Sequence, residues 1–181
     1  MELGRAIVNT RDHLKTNLVA GALTSTHFTV RTAMPLLLGV LADAYAFSEG
    51  QLGDIGAAYS AGATLVALTS VVWMRGLYLR LPVVLFLVVG LGAVASVAFV
   101  NRYPFLLATF LMAGIGFGGV YSLMIAFLAR TDDPNRSFGW QWAVGSLPGV
   151  FLLYAIPTFA TPTGGVRSTF ESIVVETAAA S

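Results

Sequence analysis

Cysteine is absent from this 181-residue chain, and charged residues are scarce. The absence of cysteine excludes disulfide bonds and thiolate metal sites. With two histidines and no dense group of carboxylates, no metal site and no other cofactor are predicted. The net charge is +1 and there is no run of basic residues, so the sequence also predicts no nucleic-acid partner.

Apolar residues dominate the composition. The chain is 56% hydrophobic and 10% charged, whereas a soluble domain has about 25% charged residues. Because this deficit of charge extends over the whole length, the composition predicts an integral membrane protein embedded in a lipid bilayer. The expected fold class is all-α, as a membrane helical bundle of about five transmembrane helices.

The domain organisation follows from the apolar runs, since a helix needs about 20 residues to cross a bilayer. Spans are predicted at residues 17–41, 51–73, 82–100, 104–129 and 138–159, within a transmembrane domain covering 17–160. A cytoplasmic segment, 1–16, precedes this domain, and a polar tail, 161–181, follows it.

The first predicted span carries two ionisable side chains at membrane depth. His27 and Arg31 are one helical turn apart and share a face, to which Thr24 also belongs. At about 1.5 Å per residue, Arg31 lies roughly 21 Å into the span, too deep to reach water easily. A buried cation is costly unless solvated, and a watery cavity among helices is the cheapest solvation. We therefore predict that His27, Arg31 and Thr24 face the bundle interior and bind solute.

Two alternatives bear on this span. Arg31 could be purely structural, pairing with Asp54 or capping backbone carbonyls. The N-terminal region could also be a signal peptide, because residues 42–46 (ADAYA) resemble a cleavage site, but the apolar region is longer than the usual 7–15 residues or so.

An unpaired Arg31 favours an anionic solute such as an organic acid, with His27 as a proton-sensitive neighbour.

Small residues at four-residue spacing predict close helix packing in two of the spans. Gly53, Ala57 and Ala61 form such a stripe on the second span. Gly114 and Gly118 form a G-x-x-x-G pair in the fourth. The glycines of the fourth span do not form a phosphate-binding loop, because no strand precedes them and no Gly-Lys-Ser/Thr follows.

The basic residues predict the orientation of the chain. With the N-terminus in the cytoplasm, seven cations lie inside and two lie outside. The seven are Arg5, Arg11, Lys15, Arg75, Arg80, Arg130 and Arg136, and the two are Arg102 and Arg167. Since positive residues concentrate on the cytoplasmic side, we predict a multi-pass protein of the cell membrane with a cytoplasmic N-terminus.

Three segments occur in an order typical of one family. Residues 47–65 (FSEGQLGDIGAAYSAGATL), 106–119 (LLATFLMAGIGFGG) and 132–140 (DDPNRSFGW) resemble the entry into the second helix, the glycine-rich fourth helix and the loop into the fifth helix of major facilitator superfamily (MFS) transporters. Between helices two and three, only Arg75 remains of the family's charged motif, and Phe110 stands where many proton-coupled members have arginine. The resemblance covers about residues 17–159, the N-terminal half of such a transporter.

The resemblance implies secondary transport of a small solute. MFS transporters have two six-helix halves with the substrate between them, so this chain looks like a fragment or an incomplete half. A second transporter half or a homo-oligomer is then an expected partner. The alternative function is a non-transporting multi-pass scaffold or partner protein. An enzyme is not predicted, because neither an acid/base pair nor the constellation of residues that activates a nucleophile lies at membrane depth.

Overall fold

Five α-helices make up nearly all of the described chain. The computed structural model describes residues 2–73, 80–100, 102–131 and 133–155, together with Val175. The helices are α1 (Glu2–Tyr45), α2 (Glu49–Trp73), α3 (Arg80–Val97), α4 (Tyr103–Leu128) and α5 (Pro134–Ala155). No strand occurs among these residues, so the predicted all-α fold with five helices is confirmed for this part of the chain.

The helix bounds differ from the predicted spans mainly at the ends. Helix α1 begins at Glu2, so the backbone of the segment 1–16 continues the helix of the first predicted span from that residue on. Helix α3 ends at Val97, and the next three residues form turns in which each backbone N–H donates to the carbonyl three residues earlier. Three parts of the predicted organisation lie outside the described residues: the loop with Arg75, residues 156–159 of the fifth span, and the tail 161–181 except for Val175.

One described helix, Tyr103–Leu128, is both long and apolar enough to cross a membrane. The apolar stretch Leu81–Val97 is shorter than a usual span. Helices α1, α2 and α5 are less apolar, since each mixes its hydrophobic residues with many small and polar ones. The prediction of five membrane-spanning helices is therefore met for one helix by this measure.

Helix α4 lies at the centre of the fold, against α1, α2 and α3, and α5 packs along α1. Gly21 faces Val144 and Gly149 faces Thr32, so α1 and α5 run parallel. Helices α2 and α4 are also parallel, because their N-terminal ends meet where the Tyr103 hydroxyl donates to Oδ2 of Asp54 at 2.6 Å.

The remaining contacts are antiparallel. Gly119 lies against Phe86 and Gly116 against Gly90, which sets α3 antiparallel to α4. Two apolar clusters fill the core at different levels of α1: the first includes Leu37 and Phe110, and the second includes Ala20 and Met124. Helix α1 is therefore antiparallel to α4, and the five helices alternate in direction along the chain.

Polar side chains lie inside the fold on α1. Thr24, Ser25, Thr26, His27 and Thr29 are all buried. The hydroxyls of the first three donate to α1 carbonyls three or four residues earlier, which satisfies them without another helix. The Thr29 hydroxyl has no described partner.

Several large apolar side chains, in contrast, lie on the outer surface of the fold. Leu81, Val84, Leu85 and Val88 follow one another along one face of α3 and are 56–65% exposed. Leu147, Val150 and Phe151 of α5 are exposed to a similar degree. Contiguous exposed apolar surface of this kind marks a protein–protein or membrane contact.

Candidate functional site

His27 is the centre of a polar and aromatic cluster in which α1, α2 and α4 meet. Its side chain is 6% exposed. Nδ1 lies 3.2 Å from the hydroxyl oxygen of the buried Tyr59, a hydrogen bond whose direction depends on the imidazole tautomer. The ring of Tyr121 stacks on the imidazole with a centroid distance of 4.9 Å and an interplanar angle of 19°. Tyr59 and Tyr121 therefore hold His27 from two different helices.

The cluster continues to α5 through Phe28. This ring lies edge-on to Tyr121, with centroids 5.6 Å apart, and 4.7 Å from the ring of Trp142. Gly145 makes room for the contact, since a Cβ there would lie 3.0 Å from Phe28 and 3.2 Å from the Thr24 hydroxyl. Thr24 consequently faces α5, and its hydroxyl donates to α1 carbonyls at 3.0 Å.

Arg31 lies on the exposed edge of this cluster. No described carboxylate is within ion-pair distance, and the considered partner Asp54 instead accepts the hydrogen bond of Tyr103. Arg31 nevertheless follows His27 by one turn of α1, which places its guanidinium on the side of the helix that bears the cluster.

The predicted site residues are thus separated by their surroundings. His27 is buried against α2 and α4, Thr24 is buried against α5, and Arg31 is open on the surface of the described bundle rather than in its interior. Arg31 shares one face of α1 with Pro35 and Gly39, and all three residues are exposed. No described helix covers this face, because α2, α4 and α5 pack against the other faces of α1.

Gly114 and Gly118 lie at the contact between α4 and α2. A Cβ at Gly114 would overlap the carbonyl oxygen of Tyr59, and one at Gly118 would lie 2.7 Å from Cα of Ala63. Both glycines allow two backbones to approach more closely than side chains would permit. On the α2 side the matching glycine is Gly62, whose Cβ would overlap the Leu111 carbonyl oxygen.

Gly53, Ala57 and Ala61 take no part in this contact. All three are exposed, and a Cβ added to Gly53 would meet nothing within 4 Å. The residues of α2 that face the core lie on a neighbouring face of the helix, which includes Ile55 and Tyr59. A packing role for Gly53, Ala57 and Ala61 therefore stays a prediction for a contact beyond the described chain.

Four aromatic residues of the cluster were not among the predicted site residues: Phe28, Tyr59, Tyr121 and Trp142. The available signal was the two tyrosines, each of which is the single tyrosine of its predicted span and lies well inside it. Gln141 was also not among them. It is 1% exposed and neither amide atom has a described hydrogen-bond partner.

Among the described residues, no group of three or more metal-ligating side chains could hold a metal ion. In its described part the chain is an all-α bundle of five helices, with an open arginine beside a buried histidine and two tyrosines. Comparison of the chain with protein-family models finds no match, and comparison with curated proteins finds none either.

Proposed function

We propose that this chain is a multi-pass protein of the cell membrane with its N-terminus in the cytoplasm. Two features of the described helices support this. Their direction alternates along the chain, as successive membrane crossings require. Their outer surface carries contiguous apolar side chains on α3 and α5, while hydroxyl and imidazole groups lie inside. This distribution suits lipid, where apolar surface needs no cover.

We further propose that the protein binds a small organic anion and takes part in its transport, in the manner of half of an MFS transporter. The observation that carries this proposal is the open, unpaired Arg31 beside the buried pair of His27 and Tyr59. An ionisable group within a span is by default a functional candidate, because an idle charge there would be costly.

Each group of the site has a chemical part in this proposal. Arg31 supplies a permanent positive charge and a planar fork of donors that matches a carboxylate. Tyr121 is half-buried and supplies an aromatic wall next to that charge. This combination favours an organic anion over a small inorganic one. A second transporter half, or a second copy, would close over the exposed face that bears Arg31.

The test is equilibrium binding to the purified protein in detergent, with benzoate as an anionic probe and benzylamine as its cationic counterpart. Charge-assisted hydrogen bonds contribute about 1.5–3 kcal/mol, so Arg31→Gln should weaken benzoate binding about 10- to 150-fold. Arg31→Lys should restore only part of this, since the donor fork is lost. Arg102→Gln, an exposed arginine before α4, is the matched control and should bind as the wild type does.

Two results would contradict the anion site. One is equal binding of benzoate and benzylamine, and the other is equal benzoate affinity in the Arg31→Gln and Arg102→Gln proteins. A failure of the wild type and all three variants to bind benzoate would also contradict the proposal.

A second candidate function, a non-transporting membrane partner, is favoured by the exposed stripe of Gly53, Ala57 and Ala61 on α2. A partner helix could approach that surface closely. If association is the function, Ala57→Leu should change the oligomeric state, measured by light scattering, and should leave benzoate binding unchanged. Ala67→Leu, at another exposed alanine of the same helix, is the control.

A further inference from the structure

The beginning of α5 carries a shallow surface groove of about 370 Å³ that is separate from the His27 cluster. Arg136, Gly139, Trp140 and Ala143 line it. Gly139 leaves space in the groove because it has no side chain, and a Cβ built there would meet nothing within 4 Å.

The groove continues into an exposed apolar stripe on the same face of α5. From Arg136, the residues Trp140, Ala143, Leu147 and Val150 follow at alternating steps of four and three, and all are exposed. At about 1.5 Å per residue this line is roughly 21 Å long. Its order is a cation, an indole and then apolar side chains, the same order of polarity that a phospholipid has from head group to acyl chain.

The cation of this groove is available to a ligand. Arg136 is exposed and forms no ion pair with a described carboxylate. The nearest acidic residue along the helix, Asp133, uses Oδ1 to accept the backbone N–H of Arg136 at 3.1 Å, so it caps the first turn of α5. The guanidinium is therefore left to bind an oxyanion such as a phosphate.

We propose that this face of α5 binds one anionic phospholipid. The Arg136 guanidinium holds the phosphate, the Trp140 indole lies at the interface, and one acyl chain follows Ala143, Leu147 and Val150. Tryptophan is enriched at this depth of a membrane, and the cytoplasmic leaflet, on which Arg136 is predicted to lie, is the anionic one. The proposal depends on the membrane location proposed above but not on transport.

The test is native mass spectrometry of the detergent-purified protein, titrated with equal concentrations of phosphatidylglycerol and phosphatidylcholine. A basic side chain at an anionic surface contributes about 1 kcal/mol, which corresponds to a roughly five-fold preference for phosphatidylglycerol. Arg136→Gln should abolish this preference. Arg130→Gln, an exposed arginine outside the groove, is the matched charge control and should retain it.

A second pair of variants tests the groove itself. Gly139→Leu fills the groove without a clash and should lower the binding of both lipids at least three-fold. Gly92→Leu on α3, where a Cβ also meets nothing within 4 Å, should bind lipid as the wild type does. A third arm with glycerol phosphate should show no binding, since it lacks the acyl chains.

The proposal is overturned by any of three results: equal loss of preference in the two arginine variants, equal binding by the two glycine variants, or glycerol phosphate bound as well as the lipid. Extraction of cell membranes with alkaline carbonate tests the membrane location separately. Release of the protein by carbonate would contradict that location, whereas retention together with an unselective groove would contradict only the lipid site.

Discussion

Replacing Gly114 by alanine should push α2 away from α4 and destabilise the protein. The new Cβ would overlap the Tyr59 carbonyl oxygen and lie 2.9 Å from the carbonyl carbon of the same residue. Carbon atoms in contact prefer at least about 3.5 Å, so the two helices would have to separate by roughly 0.6 Å or more. The obstacle is the backbone of a helix, which has no rotamer that could relieve the overlap.

The magnitude follows from two opposing effects. Overpacking of a core costs about 1–3 kcal/mol, and a clash with backbone belongs at the upper end of that range. Alanine in place of glycine favours the helix by about 1 kcal/mol. The net loss for Gly114→Ala should therefore be about 2 kcal/mol, which corresponds to a melting temperature about 4–8 °C lower.

The assay is thermal unfolding of the purified protein, followed by intrinsic tryptophan fluorescence. Gly92→Ala is the control, because this glycine is exposed in α3 and a Cβ there would meet nothing within 4 Å. It should melt at or above the wild-type temperature. If the Gly114→Ala and Gly92→Ala proteins have the same melting temperature, α2 and α4 do not approach each other as closely as described, and the reasoning is refuted.

Three further predictions concern the site, α5 and the topology. Tyr59→Phe should cost about 1–3 kcal/mol in thermal unfolding, because Nδ1 of the buried His27 loses its described partner; Tyr121→Phe, which removes a hydroxyl with no described hydrogen bond, should cost less. Gln141→Leu should leave the melting temperature unchanged or raise it, because both amide atoms are buried without a described hydrogen-bond partner. A loss of more than about 1 kcal/mol in the free energy of unfolding would contradict this and indicate that the amide has a partner. The chain has no cysteine, so single cysteines can be introduced at Glu49 and at Asp133 and treated in intact cells with an impermeant thiol reagent. The cysteine at position 49 should be labelled and the one at 133 should not. Labelling at position 133 alone would contradict the proposed orientation and support the opposite one.

The positions of the helices could be predicted from apolar runs, because the runs and the turn residues between them are local features. Helix α4 shows this well: Pro104 lies in its first turn and its apolar residues continue to Leu128. The continuation of α1 back to Glu2 was not predicted, since the polar composition of residues 1–16 indicates only that they avoid lipid. Polarity does not by itself determine whether a backbone is helical.

The sequence by itself determined the all-α class, the surplus of apolar surface, and the one-turn spacing that puts His27 and Arg31 near each other on α1. Only the tertiary structure decided that His27 is buried between Tyr59 and Tyr121 while Arg31 stays open. It also decided that α2 meets α4 through Gly62 rather than through the equally small residues of the neighbouring stripe. The physical reason is that periodicity describes every face of a helix, whereas the face that is covered depends on contacts between helices far apart in the chain.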